Sequence, residues 1–162
     1  MPHGNQPSQQ YHLVQLNIAT MKYAKDSPDM AEFIGALDEI NALADSSDGF
    51  IWRMQDDAGS AMSITMPEGM FNDQTLPNMS MWRDRESLFD YVYKSAHTHF
   101  LARRSEWFQM PKAGTMVLWW VPEGHIPTLE EAADRLAYLR EHGPSLQAFT
   151  FKKAFDPAGE PV

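Results

Sequence analysis

No cysteine occurs anywhere in the 162 residues. Disulfides, thiol nucleophiles and thiolate metal sites are thereby excluded, and the usage fits a reducing cytoplasm. Long apolar runs are missing too: none approaches the roughly 18 residues that a membrane-spanning helix requires. The opening "MPHGNQPSQQ" has neither the apolar core of a signal peptide nor the basic amphipathic pattern of a transit peptide. No targeting segment is expected there, and a cytoplasmic protein is expected. Basic residues are scarce, 13 against 22 acids, for a formal net charge of −9. Such a surface repels phosphate, which argues against nucleic acid or an anionic membrane as a partner. The Arg103-Arg104 pair is too short to reverse that balance. Gly-rich strand-to-helix turns, a GxSxG elbow and paired-carboxylate motifs are also absent, leaving nucleotide, phosphate and flavin binding without a signal.

What is present is the patterning of one globular domain with 43% hydrophobic residues, long enough to bury a core. "YHLVQLNIAT" alternates as a strand, with Leu13, Gln15 and Asn17 on one face and Val14, Leu16 and Ile18 on the other. Ser27-Pro28 reads as an N-cap and first turn of a helix carrying Met30, Phe33, Ile34, Leu37, Ile40, Asn41 and Ala44 and ending near "DSSDG". "FIWRMQ" is a second strand, and residues 56–75 form a long hairpin or loop. "LPNMSMWR" is a third strand, with Asn78, Ser80 and Trp82 on one face. Asp84 caps a helix opening at "RESLFDYVY", and "TMVLWWV" is a fourth strand. Thr128 and Glu131 form a capping box on a helix stopped by Gly143-Pro144, and "QAFTFKK" is a fifth strand. Residues 1–10 and 156–162 read as disordered tails around one domain over 11–155.

The order β-α-β-β-α-β-α-β contains the ferredoxin-like βαββαβ unit, an α+β fold with an extra C-terminal helix and strand. Helices in that unit cover one sheet face. The other face is expected to carry Trp52 or Arg53, Trp82, and one of Trp119 and Trp120, which point to opposite sides. That many exposed indoles demand cover. A homodimer through the sheets, a dimeric α+β barrel with a cavity in each half, is the expected solution.

The stretches "HLVQLNIAT", "EINALADSSDGFIWRMQ", "PNMSMWRDRESLFDYVYKSAHTHFLARRSEWF" and "LWWVPEGHIPTLEEAADRLAYLREHGP" resemble the DUF3291 family, over nearly the whole chain from Tyr11 to Phe155. That family is placed in the dimeric α+β barrel superfamily, beside the antibiotic-biosynthesis monooxygenases. The resemblance implies a small-molecule pocket and, by superfamily analogy, a cofactor-independent monooxygenase-like enzyme acting on a small aromatic or polyketide-like metabolite. The chain is similar, more distantly, to heme-degrading monooxygenases of the same superfamily, which carry an Asn on the first strand, a Trp on the later helix and a His after it. Asn17, Tyr91 and His97 of "SAHTH" stand at those places, and the resemblance implies that they are catalytic. Tyr91 in place of Trp departs from that pattern. Two alternatives stay open: a heme-binding or heme-degrading protein with His97 as axial ligand, and a non-catalytic metabolite-binding dimer.

The residues themselves constrain these readings. A neutral imidazole at His97 serves as base or ligand near pH 7; the alternative is a helix-flank histidine bonded to a carbonyl or water. In one unbroken helix over 86–107, Phe89, Val92, Ala96, Phe100 and Trp107 would form the buried stripe, with His97 and His99 about 200° apart and Tyr91 facing away. A joint Tyr91–His97 site therefore requires a break near Ser95, with Ser95 capping the second piece, His97 turned into the cavity, His99 outward and Arg104 at the rim. His97 and His99 diverge on a helix, so no metal site is expected. Asn17 and Asn78 sit mid-strand, where an amide needs partners, and a polar pocket supplies them. Trp52, Trp82, Trp107 and Trp120 are the expected aromatic lining. Of Arg103 and Arg104, one is expected to pair with Asp38 or Glu39, the other to hold an anionic substrate group. In this scheme His97 or Tyr91 deprotonates a phenol or enol, Asn17 and Asn78 stabilise the oxyanion, and the carbanion passes an electron to O₂.

Overall fold

Ten residues, Tyr11–Thr20, form β1, and the rest of the sheet is laid down on its two edges. In the computed structural model, which describes residues 10–55, 74–95, 97–110 and 114–162 and of His97 the backbone alone, three more strands join it. They are β2 (Phe50–Arg53), β3 (Thr75–Trp82) and β4 (Met116–Pro122). The order is β2-β3-β1-β4 and every pair is antiparallel. Helices α1 (Ala31–Asp45), α2 (Arg85–Lys94), α3 (His97–Ala102) and α4 (Leu129–His142) complete the chain. This is the ferredoxin-like α+β arrangement with one additional C-terminal helix. Of the tail expected over 1–10 and the loop expected over 56–75, residues 1–9 and 56–73 lie outside the described residues, and Thr75 already belongs to β3.

Local chemistry sets the boundaries. Ser27 Oγ accepts the Asp29 N–H at 3.2 Å, opening a single 3₁₀ turn, Pro28–Met30, that runs into α1. Gly49 follows α1 at φ 83°, and a Cβ there would meet Ser87 Oγ at 2.1 Å, so conformation and space both require glycine. Asp84 Oδ1 accepts the Ser87 N–H at 2.8 Å and starts α2. Thr128 Oγ1 accepts the Glu131 N–H at 3.1 Å to start α4. The capping box is only half made, however. The Glu131 carboxylate instead accepts the Trp119 indole N–H at 2.8 Å and meets His125 Nε2 at 2.7 Å.

The sheet is covered on both faces by the one chain. Val14, Leu16, Met79, Met81, Val117, Trp119 and Val121 cluster with Leu129, Ala132, Leu136 and Leu139 of α4. On the opposite face Leu13, Trp82 and Leu118 cluster with Leu88 of α2 and with Phe149 and Ala154 of the C-terminal segment. Trp119 and Trp120 do point to opposite sides. Trp119 is completely buried, and Trp120 is half-buried with its indole N–H on the Phe155 carbonyl at 2.7 Å.

Three expectations change here. Trp82 and Trp120 lie on the α1/α2 face rather than on an open one, and α4 together with the C-terminal segment does the covering assigned to a second copy. The tryptophans therefore give no reason for a partner. The fifth strand shrinks to one bridge, Phe149 with Leu118 (2.8 and 2.9 Å), because the turns at 145–148 and 150–153 pull the chain off the β4 edge. Residues 156–162 are not a loose tail: Asp156 N–H bonds the Glu160 carbonyl at 2.8 Å and Val162 N–H the Ala154 carbonyl at 3.0 Å.

If α4 is the second layer, Leu136→Ala, at a fully buried position, lowers the unfolding free energy by about 2–5 kcal/mol. A urea titration followed by tryptophan fluorescence measures this. A loss below about 1 kcal/mol would mean that α4 does not hold the sheet.

Candidate functional site

Residues paired across strands share a face, so the register sorts the α1/α2 side of the sheet into rows. Phe50, Trp82, Leu13 and Trp120 form one row, packed under Leu88, Tyr91 and Val92 of α2. Leu76, farther along β3, packs with Phe33, Leu37 and Ile40 of α1. Trp82 and Leu76 are six strand positions apart, about 20 Å. Between these apolar anchors β1, β2 and β3 carry polar residues: Arg53, Ser80 and Gln15 share a row that ends at buried Leu118 of β4, and Asn78 lies opposite Asn17 in a row that ends at Met116. Gln15 and Ser80 are 6% and 5% exposed and make a buried floor, whereas Asn17 and Asn78 are exposed although both lie within strands.

The floor is a connected network. Gln15 Nε2 donates to Asn78 Oδ1 at 2.7 Å and to Ser80 Oγ at 2.9 Å, and Trp82 Nε1 donates to the same Ser80 oxygen at 2.8 Å. With two bonds accepted, Ser80 keeps its own proton for donation. Arg53 reaches this face through a β-bulge between Phe50 and Trp52, which sets Trp52 opposite Met81 and Arg53 opposite Ser80. Its guanidinium holds Asp45 at the end of α1, with Nε–Oδ1 2.8 Å and Nη2–Oδ2 3.4 Å.

Tyr91 closes the aromatic side. Its ring stacks on Trp82, centroids 5.1 Å apart and planes 28° from parallel. Burial pushes its phenol up to about 12; the nearby Arg53 charge opposes this and Asp45 reinforces it. Tyr91 is thus a hydrogen-bond donor at neutral pH, which removes it from the role of resting base.

The helix break at Ser95 is present. α2 ends at Lys94, Ser95 is extended at ψ −178°, and α3 begins at His97. The Ser95 hydroxyl bonds back to the Tyr91 carbonyl, while its own carbonyl accepts the Thr98 N–H at 3.1 Å and hydroxyl at 2.9 Å. Tyr91 and Val92 belong to the cluster under α2, and Phe100 belongs to the cluster with α1. The segment carrying His97 therefore crosses from one anchor to the other. The side chain of His97 lies outside what is described. The phase of α2 differs from the expected stripe: Leu88, Tyr91 and Val92 face inward, and Phe89 turns out to meet Tyr93 and Phe151 at 4.8 and 5.8 Å.

The remaining candidates divide. Trp82 and Trp120 share the site's face. Trp52 does not, since the bulge that delivers Arg53 sends Trp52 to the α4 face. Trp107 is buried against Phe33 in the α1 cluster, away from the band. Arg103 pairs not with Asp38 or Glu39 but with Glu32 (2.6 and 2.8 Å) and Glu106 (2.7 and 2.9 Å), over the Trp107 ring. Arg104 and His99 are exposed. Arg53, Asp45, Gln15 and Ser80 were not singled out as site residues. Strand alternation does place Gln15 beside Asn17 and Ser80 beside Asn78, but nothing in the sequence announces the bulge. A separate open groove of about 240 Å³ lies where α1 meets Phe100 and includes Glu39, Leu43 and Ser46 but no residue of the polar band. Among the described residues there is no cluster of three metal-binding side chains and no helix long and apolar enough to cross a membrane.

The family model described as "Domain of unknown function (DUF3291)" matches residues 12–162. No functionally curated protein matches. Solved structures with some likeness include a protein of unknown function from Nitrosomonas europaea, 11% identical over 75% of this chain and 97% of that one, TM-score 0.46. SnoaB, a cofactor-independent oxygenase from Streptomyces nogalater, is 14% identical over 73% and 96%, TM-score 0.42. A dabb family protein with a ferredoxin-like fold from Mesorhizobium loti is 12% identical over 74% and 99%, TM-score 0.44. At these scores the likenesses carry no argument about this chain's chemistry; the fold stated above rests on its own strand pairing.

An unfolded tyrosine titrates near 10 and Tyr91 near 12. Between those values the unfolded chain gives up a proton that the native chain keeps. Stability therefore falls as pH rises past about 10 and the loss levels off above about 12. The tyrosinate absorbance of the native protein should show one group titrating late, and Tyr91→Phe should delete that component. Unchanged late titration in the variant would place the buried phenol elsewhere.

Proposed function

The chain belongs to the DUF3291 family, and from that premise we propose that the polar band is a pocket for a small aromatic or polyketide-like molecule, which the protein oxidises as a cofactor-independent monooxygenase. The observation that carries this reading is the exposed Asn17–Asn78 pair above a hydrogen-bonded floor, bordered by the Tyr91–Trp82 stack. Apolar walls with a few convergent donors are what a flat ligand needs.

In this reading His97 takes a proton from a carbon activated by a neighbouring carbonyl or phenol. Asn17, Asn78 and neutral Tyr91 donate hydrogen bonds to the oxygen on which negative charge develops. The carbanion passes one electron to O₂, and the radical pair recombines with formation of a C–O bond. The peroxide takes a proton and loses water, so a CH₂ carbon becomes a carbonyl while the second oxygen atom leaves as water. His97, protonated in the first step, is the proton donor in the last.

Oxygen consumption and product mass, measured across a panel of anthrone-type and activated phenolic compounds, test the proposal. One O₂ should be used per product, with turnover reduced roughly 100-fold or more in His97→Ala and roughly tenfold in Tyr91→Phe. Binding without oxygen uptake would make the protein a non-catalytic metabolite carrier. A Soret band on hemin titration that is lost in His97→Ala would contradict the proposal in favour of heme handling.

A further inference from the structure

α1 presents two stripes at helical spacing, and only one of them serves the core. Phe33, Leu37 and Ile40 face the cluster that holds Met30 and Trp107. Glu39, Ala42, Leu43 and Ser46, at i, i+3, i+4 and i+7, make the second stripe, about 10 Å long. Together with Ile40 and with Phe100 of α3 they line the open groove of about 240 Å³. Ile40, Leu43 and Phe100 are partly buried there, and Glu39, Ala42 and Ser46 are exposed. The Ser46 hydroxyl donates to the Leu43 carbonyl at 3.2 Å, which leaves Glu39 as the polar side chain of the lining that is not committed. α1 carries four acids and neither lysine nor arginine. Glu32 is held by Arg103 and Asp45 by Arg53. Among the described residues, Glu39 and its neighbour Asp38 have no hydrogen-bond or ion-pair partner for their carboxylates.

From this arrangement we infer that the groove between α1 and α3 binds a small organic amine, protonated at neutral pH, whose ring or short hydrocarbon chain lies along Leu43 and Phe100 and whose ammonium meets Glu39. Ile40, Ala42, Leu43 and Phe100 select an apolar body. An ionised carboxylate only accepts hydrogen bonds, so the polar end of the ligand has to donate. A charged donor also gains Coulombic attraction from Glu39 and Asp38 that a hydroxyl lacks. The rival occupants fail on charge. An anion meets two unpaired carboxylates, and a second copy brings its own net charge of −9 against the same surface. The volume suits one ring with a short chain, since pockets for drug-sized ligands start near about 300 Å³. Because the groove is open and Glu39 exposed, charge selects by a few-fold rather than by orders of magnitude. No residue of the polar band lines the groove, and oxygen chemistry plays no part in it.

Three probes that differ only at the polar end separate the outcomes: 3-phenylpropylamine, 3-phenylpropanol and 3-phenylpropanoate. In ¹⁵N-resolved NMR titrations at neutral pH and low salt, the backbone amides of Ala42, Leu43 and Ser46 should shift with the amine. Its dissociation constant should lie about threefold or more below that of the alcohol, and the propanoate should bind most weakly. Glu39→Gln should bring amine and alcohol to within about 1.5-fold of each other. Ala42→Phe, at an exposed position, fills the groove and should abolish saturable shifts with all three probes. Equal affinity of amine and alcohol for wild type, or a preference that survives in Glu39→Gln, overturns the choice of ligand. Binding that persists in Ala42→Phe, or no shift at Leu43 and Ser46 with any probe up to about 10 mM, overturns the site.

Discussion

A sheet face that places Gln15 and Ser80 beside Trp82 can be buried only where those polar groups find partners, because each unpaired one would cost roughly 1–3 kcal/mol. The rest of the structure follows from how that constraint is met. The floor groups satisfy one another through Asn78 Oδ1 and Ser80 Oγ, and the apolar contacts are pushed to the two ends of the face. α2 anchors on the Trp82 row and α1 near Leu76. The chain between them cannot remain one straight helix and still reach both anchors, so it breaks at Ser95 and restarts at His97. Between the anchors Asn17 and Asn78 are exposed.

How much of this was legible in the sequence depends on whether a feature is periodic. Strand alternation correctly grouped Leu13 with Gln15 and Asn17, and Asn78 with Ser80 and Trp82. Caps at Ser27, Asp84 and Thr128 followed from residue type, and the break near Ser95 followed from the geometry that Tyr91 and His97 would need. What periodicity could not show was a departure from it. The bulge in β2 reversed the sides of Trp52 and Arg53, replacing an expected aromatic wall with a cation. The phase of α2 was misjudged because Phe89 has its own partners outside, Tyr93 and Phe151. A hydrophobic count cannot separate an inward aromatic from one in a satellite cluster.

The misplaced expectation that Trp82 and Trp120 would lie on an uncovered face has the same origin. The sequence announced a C-terminal helix, but not that Leu129, Ala132, Leu136 and Leu139 would lie over Trp119 and its neighbours. Glu131 shows how that docking is specified: half of a capping box was given up so that its carboxylate could satisfy the buried Trp119 indole and tie down His125. A buried indole N–H needs such a partner, and α4 supplies it from within the chain.

In the proposed function the polar band, rather than another concavity, receives the ligand. Side-chain amide and indole resonances report on it directly. In a salicylate titration followed by ¹⁵N-resolved NMR, the Asn17, Asn78 and Gln15 amides and the Trp82 indole should shift together with one common dissociation constant. Shifts confined to the α1 groove around Leu43 and Ser46, or to the Phe89–Tyr93–Phe151 cluster, with the band amides unmoved, would contradict it.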